Sequence, residues 1–145
     1  MTRFGMVAVC AVALMAAAAK AEDLIEPGQW KVTTTMTMNG AAAPPQAKMR
    51  CITAEQAADV GKTFGPVAGS VNSTCDTPQS EMNGHALKWR LQCRGTLDLD
   101  VDGQFSFDAP RHYSATVISK GRMAGQLISD VKSELEGERV GDCTQ

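Results

Sequence analysis

The sequence has little of what the easily recognised function classes require. Only 5% of its residues are aromatic and it has no block of basic residues, which argues against a nucleic-acid-binding surface. It has two histidines and lacks a Gly-x-Ser-x-Gly elbow, a His-Glu-x-x-His pair and a phosphate-binding loop. We therefore expect no enzymatic activity, no cofactor and no nucleic-acid partner.

The chain also lacks an apolar run long enough to cross a bilayer. Its apolar run Phe4–Ala18 follows a short basic start at Arg3 and is followed by Ala19-Lys20-Ala21, which has small residues at the positions a signal peptidase reads. This layout is typical of a secretory signal peptide. We predict that residues 1–21 are removed and that the product is periplasmic and not membrane-spanning. The alternative is a retained N-terminal anchor.

Residues 22–145 have no internal repeat and suit a single domain. Once Arg3 and Lys20 leave with the signal peptide, twelve basic and sixteen acidic side chains remain, so the net charge is about −4. A mildly acidic chain of this kind has no electrostatic reason to bind nucleic acid.

Five cysteines become four once the signal peptide is removed, and an even number in an exported chain indicates disulfides. Four cysteines allow three pairings. A three-residue hairpin loop at Asn83–His85 would place Cys75 opposite Cys93, which leaves Cys51 to pair with Cys143 and close a long loop. On the loop-entropy model the long-range bridge contributes about 4 kcal/mol. The rival is a four-cysteine zinc site, although no Cys-x-x-Cys pair is present.

Apolar residues recur at every second position in two predicted strands, Ala86–Cys93 and Gly95–Phe107, and this period is typical of strands with one buried face. We expect the second strand to run through Gly103, as a bulge or kink, and to turn at Ala109-Pro110-Arg111. Tyr113, Ala115 and Val117 would then lie opposite Phe107, Phe105 and Gly103.

The same patterns predict the remaining elements. A capping box at Thr53–Gln56 opens what we expect to be a single helix, ending near Val60. We predict a turn near Gly121 and a tail, Gly137–Gln145, held by Cys143, and note a helical alternative for Ser133–Glu136. The other predicted strands are Trp30–Met38, Gln46–Ile52, Val71–Thr77 and Met123–Leu135. The fold class is therefore mainly β: an antiparallel, mostly meander-like curved sheet or small barrel with one short helix, stapled by disulfides.

An ordered set of short motifs resembles a family of small exported bacterial proteins known as the domain of unknown function 3617 family. The motifs are Pro27–Val32, Cys51-Ile52-Thr53, Cys75, Trp89 with Cys93, and Gly141-Asp142-Cys143. The chain departs from the pattern where Ala109-Pro110 replaces a glycine-rich turn. The resemblance implies export, cysteine pairing and a β architecture, and it brings no catalytic residues.

The apolar strand faces are the main candidate site. A curved sheet with an apolar concave face can hold a small apolar or lipid-like ligand, so our first hypothesis is a periplasmic binding module. The alternative is that the same side chains fill a small barrel. The candidate ligand-lining residues are Trp30, Trp89, Leu99, Val101, Phe105 and Phe107.

Two further hypotheses concern the polar positions. Asp98, Asp100 and Asp102 imitate the start of a calcium loop, but Ala109 occupies the position of the required bidentate acid, and we favour the explanation that they form the solvated face of a strand. They are weak candidates for cation binding, and otherwise we predict no metal site. Threonine-rich and acidic faces suggest a protein–protein interaction module as the alternative function. His85 and His112 are expected to be solvated turn residues.

Overall fold

The computed structural model describes residues 23–67 and 73–144, and the predicted signal peptide lies outside the described residues. Within these ranges the chain forms an antiparallel sheet and two short helices, so the mainly β fold class is confirmed. The elements are β1 Gly28–Met38, β2 Ala41–Ala42, β3 Gln46–Ile52, α1 Ala54–Ala58, α2 Val60–Phe64, β4 Ser73–Cys75, β5 Gln79–Asn83, β6 Ala86–Gly95, β7 Asp98–Ala109, β8 His112–Met123 and β9 Gln126–Gly141.

The sheet is open, because β3 at one edge and β4 with β5 at the other do not pair with each other. Strands β5 to β9 follow one another as a meander, while β1 lies beside the last strand, β9, with β2 and β3 on its outer side. Of the two architectures predicted, the curved sheet is therefore found and the closed barrel is not.

The strand register sorts the side chains onto two faces. On the face that carries the helices, here called the helix face, Leu87, Phe105, Ala115 and Leu135 lie side by side across β6, β7, β8 and β9. On the opposite face, here called the polar face, threonines, serines and charged residues alternate with them. The buried core therefore lies on the helix face: Ile25, Trp30, Ile52, Ala57, Val60, Phe64, Leu87, Phe105, Phe107, Tyr113 and Ala115.

The prediction of a single helix ending near Val60 is wrong, because the helix breaks at Asp59. The capping box is confirmed: Gln56 donates its backbone N–H to the Thr53 hydroxyl (3.2 Å), and Thr53 donates its own to the Gln56 side chain (3.0 Å). Asp59 then leaves helical geometry (φ −124°) and its carboxylate accepts the Lys62 backbone N–H at 3.0 Å. Aspartate favours the N-cap, so the chain begins a second helix there.

The hairpin before β6 differs from the predicted one, although its disulfide is confirmed. The loop has two residues, Gly84 and His85, and Asn83 pairs with Ala86. That register alone would not place Cys75 opposite Cys93. The interruption between β4 and β5 shifts the pairing with β6 by one residue, and this shift brings Cys75 opposite Cys93. Of the predicted strand Val71–Thr77, only Ser73–Cys75 is strand, and its first residues lie outside the described part.

The long strand β7 runs through Gly103 as predicted, and Ala115 and Val117 lie opposite Phe105 and Gly103. The expected bulge is absent there, because the pairing continues through Gly103 on both sides without a shift. The predicted pairing of Tyr113 with Phe107 is wrong, because the register shifts between Ser106 and Ala109.

The turn predicted near Gly121 is wrong, and so are the helical alternative for Ser133–Glu136 and the tail from Gly137. Strand β8 continues to Met123, the chain turns at Ala124-Gly125, where both residues have positive φ, and β9 extends to Gly141. Alanine in a left-handed conformation is uncommon, so the sequence carries no clear signal for this turn.

The two predicted disulfides are present. Cys75–Cys93 joins β4 to β6 with a Cα–Cα distance of 3.9 Å, and Cys51–Cys143 joins the end of β3 to the C-terminal segment with a Cα–Cα distance of 5.4 Å. With these four cysteines oxidised, they leave no thiolates for the alternative zinc site.

Candidate ligand-binding cleft

A cleft of about 510 Å³ opens between α2 and the helix face of the sheet. Its floor is mainly apolar and is provided by five strands, β1 and β6 to β9, and its sides come from β3, from the end of α2 and from the segment that follows α2. The lining residues are Val32, Thr34, Lys48, Met49, Arg50, Thr63, Phe64, Gly65, Pro66, Val67, Trp89, Phe105, Tyr113 and Leu135.

Two glycines shape the floor of the cleft. Gly103 pairs with Trp89 and Gly137 pairs with Tyr113, and in each case a Cβ on the glycine would overlap the aromatic ring. Because there is no Cβ, both rings lie against the backbone of the neighbouring strand. The two aromatic rings can therefore form part of the cleft floor while the strands beneath them stay paired.

Phe64 anchors α2 over this floor. Its ring packs against Phe105 (centroids 5.4 Å apart), Phe107 (5.3 Å) and Tyr113 (4.9 Å). The Trp89 indole N–H donates to the Phe64 carbonyl oxygen at 2.9 Å, so the end of the helix is also tied to β6. The distance between the helix and the sheet, and hence the width of the cleft, is set by these contacts.

The only charged side chains that line the cleft, within the described residues, are basic. Lys48 and Arg50 lie opposite Val32 and Trp30 in the register of β3 and β1. The Arg50 guanidinium lies 5.4 Å from the centre of the Phe64 ring and donates to the Thr63 carbonyl oxygen at 3.4 Å. Burial raises the pKa of Tyr113, and the positive charge of Arg50 acts on that phenol in the opposite direction. The positive charge of Arg50 therefore acts on Tyr113, a residue of the cleft floor.

Of the six residues predicted to line a ligand site, two line the cleft and four do not. Trp89 and Phe105 line the cleft, whereas Trp30 and Phe107 are fully buried in the core beneath it. Leu99 and Val101 lie on the same face farther along β7, opposite Cys93 and Leu91, and are not among the cleft residues.

Sequence reasoning did not identify several residues that line the cleft. Tyr113 and Leu135 carried a signal, because each lies on the apolar face of a predicted strand. Phe64 and Pro66 carried none, since Phe64 ends a five-residue helix too short for an apolar period and Pro66 lies just beyond it. Lys48 and Arg50 looked like ordinary charged residues of an edge strand.

A second concavity of about 530 Å³ lies on the polar face. Rows of hydroxyl, amide and carboxylate side chains cross β1, β9, β8 and β7 there, such as Thr33, Glu136, Ser114 and Ser106 in one row. We call this concavity the polar groove. Its lining residues are Thr33, Thr35, Gln104, Ser106, Ser114, Ala115, Thr116, Glu134, Leu135 and Glu136.

His112 is not the solvated turn residue that we predicted. Its Nδ1 lies 2.7 Å from Asp108 and its Nε2 lies 2.8 Å from Glu136, on the polar face. The hydrogen bond with Asp108, followed by that with Glu136, raises the pKa of His112. An imidazolium held by carboxylates at both nitrogens has no lone pair with which to act as a general base. The Nδ1 of the other histidine, His85, lies 3.0 Å from the Phe107 carbonyl oxygen.

The acidic row on β7 is engaged by arginines. Asp100 contacts Arg94 (2.7 Å) and Arg122 (3.1 Å), and Asp102 contacts Arg90 at 2.7 Å. The hydrogen bond from Arg94 is the main cause that lowers the pKa of Asp100, and the hydrogen bond from Gln92 and the positive charges of Arg94 and Arg122 act in the same direction. Asp98 accepts the Gly95 backbone N–H at 3.1 Å. A cation would have to displace the arginines, and across residues 23–67 and 73–144 no three His, Cys, Asp or Glu side chains cluster as metal ligands would.

No helix in the described ranges has the length and apolar character needed to span a membrane. A family described as a protein of unknown function (DUF3617) matches residues 25–143 of the chain. No curated protein and no solved structure is similar enough to count as a match.

Proposed function

This chain belongs to the DUF3617 family, as its motifs suggested, and we propose that it is an exported binding protein for a small apolar or lipid-like ligand. The ligand occupies the cleft beside α2. The protein acts by holding this molecule away from water and catalyses no reaction on it.

The observation that carries the proposal is the partly uncovered apolar floor of the cleft. Its volume of about 510 Å³ falls within the range of about 300–1,000 Å³ that small-molecule sites have. Trp89, Phe105, Tyr113 and Leu135 contribute apolar surface to it. Covering such surface is favourable by about 25 cal/mol per Å², so an apolar molecule gains more here than in the polar groove of similar size.

Two features support export and a binding role. Disulfides persist in oxidising compartments, and this chain has two of them. Oxidation also removes these cysteines as nucleophiles, and His112 is held by carboxylates at both nitrogens. The four cysteines are therefore not available for covalent catalysis, and His112 is not available as a general base.

The test is fluorescence titration of the purified, delipidated protein with N-phenyl-1-naphthylamine, an uncharged apolar dye. We expect saturable binding, and we expect Leu135→Arg to weaken it at least about tenfold by placing a charge on the cleft floor. Val140→Arg is the matched control, because Val140 lies on the same strand, is 53% exposed and does not line the cleft.

Failure of the wild-type protein to bind the dye would contradict the proposal, and so would equal affinities of the wild type and Leu135→Arg. Extraction of the protein as purified from cells, followed by mass spectrometry, provides an independent check. Apolar molecules should be present in the wild-type extract and depleted in that of Leu135→Arg.

The polar groove supports a second candidate function, the docking of a polar protein partner. Its hydroxyl and carboxylate side chains form a continuous surface across four strands. A photo-crosslinking amino acid at Thr116, inside the groove, should then give a discrete adduct in cells, and the adduct should disappear when Glu134 and Glu136 are both replaced by glutamine. If position 116 gives no more product than position 140, outside the groove, this second function is wrong.

A further inference from the structure

On the two long strands β7 and β9, the acidic residues all lie on the polar face of the sheet, and several are paired there with basic side chains. They are Asp98, Asp100, Asp102, Asp108, Asp130, Glu134, Glu136 and Glu138. The cleft on the other face is lined by Lys48 and Arg50 and, in the part of the chain that the structure describes, by no acid. A chain with an acidic net charge therefore presents a positively charged apolar cleft.

Lys48 and Arg50 are suited to bind one anionic group together. They are two residues apart on the same face of β3, which separates their Cα atoms by about 7 Å. Neither has an acidic side chain within 4.0 Å in the described ranges. Both are exposed, so a charged group bound by them would stay at the border with water. The guanidinium fork of Arg50 matches a carboxylate or a phosphate.

The apolar surface continues from the cleft along β1. Val32 and Thr34 line the cleft, and beyond Thr34 the apolar side chains of Met36 and Met38 follow on the same face, 37% and 51% exposed. Val131 of β9 lies opposite Met38 and extends the surface sideways. The distance from Val32 to Met38 is about 20 Å, at the usual rise of an extended strand. A long unbranched chain has room to lie along this strip.

From these placements we infer that the ligand is an elongated anionic amphiphile, whose carboxylate or phosphate group is bound by Arg50 and Lys48 and whose apolar chain lies in the cleft and towards Met38. This inference rests on the proposed function, since it assigns the chemistry of the ligand to the same cleft.

A purely structural role for the two cations makes a different prediction. Basic residues on an edge strand discourage pairing with other chains, and the contact of Arg50 with Phe64 stabilises α2. If these were their only roles, the affinity of the cleft for a ligand would not depend on the charge of its head group.

The test is displacement of bound N-phenyl-1-naphthylamine by matched sixteen-carbon ligands, each kept below its micelle concentration. Hexadecanoate and hexadecyl phosphate represent the two anionic groups, hexadecanol is the neutral ligand and hexadecyltrimethylammonium the cationic one. We expect at least one anionic ligand to displace the dye at about a tenfold lower concentration than hexadecanol, and the cationic ligand to be weakest. The stronger of the two anions identifies the head group.

Substitutions of Lys48 and Arg50 test whether these two residues cause the preference for an anionic head group. Lys48→Gln with Arg50→Gln should reduce the preference for the anion, expressed as the ratio of the anion's affinity to that of hexadecanol for the same variant, to less than about twofold. Arg50→Lys, which keeps the charge, should retain part of the preference. Lys31→Gln is the control, because Lys31 lies on β1 between Trp30 and Val32 and does not line the cleft. An unchanged affinity for the dye shows that the cleft of each variant is intact.

Two negative results have different meanings. If the dye binds but the head group makes no difference, or if the double variant keeps the full preference, the inference is wrong and the proposed function stands. If neither the dye nor any of the four ligands binds the wild type, both are wrong.

Discussion

At the scale of single residues, two aromatic–glycine pairs account for the shape of the helix face. Trp89 lies over Gly103 and Tyr113 lies over Gly137, in both cases as direct partners in the strand register. Glycine within a strand usually weakens it. Here the missing Cβ leaves room for a ring that packs on the backbone, and the burial of that ring offsets the loss.

We therefore expect Gly103→Ala and Gly137→Ala each to lower the free energy of unfolding by about 2 kcal/mol, because the new methyl group forces the ring out of its place. Urea denaturation followed by tryptophan fluorescence measures the change. Gly141→Ala is the control: it lies on the same strand as Gly137, nothing lies within 4 Å of its added Cβ, and it should cost less than about 0.5 kcal/mol. Equal costs at all three positions would contradict this account.

At the scale of elements, the helices depend on their surroundings. α1 and α2 have five residues each, and helices of this length are unstable alone. Side-chain caps at Thr53 and Asp59 satisfy backbone N–H groups at their starts, and Phe64 fixes the end of α2 by its aromatic contacts. The sequence predicted the first cap because its partners are three residues apart. It did not predict the break at Asp59, since the choice between one helix and two depends on where Phe64 packs.

His112 connects elements that are distant in sequence. It joins the end of β7, through Asp108, to β9, through Glu136. These hydrogen bonds raise its folded-state pKa above the unfolded value of about 6.5, so the protonated form stabilises the fold. The stabilisation is fully present below about pH 6.5 and is lost as the pH rises through the raised pKa.

The free energy of unfolding of the wild type, measured relative to that of His112→Gln, should therefore decrease as the pH is raised from 6 to 9. Chemical denaturation at intervals of half a pH unit measures this difference. Asp108→Asn removes the strongest of the hydrogen bonds that raise the pKa and should flatten the curve. A difference that stays constant, or grows, over this range would show that His112 does not act in this way.

At the scale of the whole molecule, the first third of the described chain is tied to its last strand and C-terminal segment. Strand β1 pairs with β9 along most of its length, and Cys51 is joined to Cys143, 92 residues away. The second disulfide, Cys75–Cys93, closes a separation of only 18 residues. On the loop-entropy model the longer closure removes more freedom from the unfolded chain.

Replacing Cys51 and Cys143 by serine should therefore cost about 4 kcal/mol, and replacing Cys75 and Cys93 about 3 kcal/mol. Guanidinium unfolding of both double variants, without reductant, provides the comparison. A larger loss from the shorter bridge would mean that native contacts outweigh chain entropy in this protein.

The sequence by itself determined the features that depend on near neighbours. The alternation of strands β1, β6 and β7 has a period of two residues, and the Thr53 capping box spans three. The four cysteines that follow the predicted signal peptide allow only three pairings. Even the Cys75–Cys93 bridge was predicted by counting along one hairpin, and it was right only because the break between β4 and β5 corrected a wrong loop length.

The tertiary structure alone decided which distant residues meet. Lys48 and Arg50 became part of an apolar cleft because β3 joins β1 at the sheet edge, and Phe64 covers the cleft because α2 packs back on the helix face. His112 met Glu136, 24 residues away, through the register of β8 with β9. Each of these contacts depends on the burial of apolar side chains across several strands at once, and no local pattern in the chain encodes that collective packing.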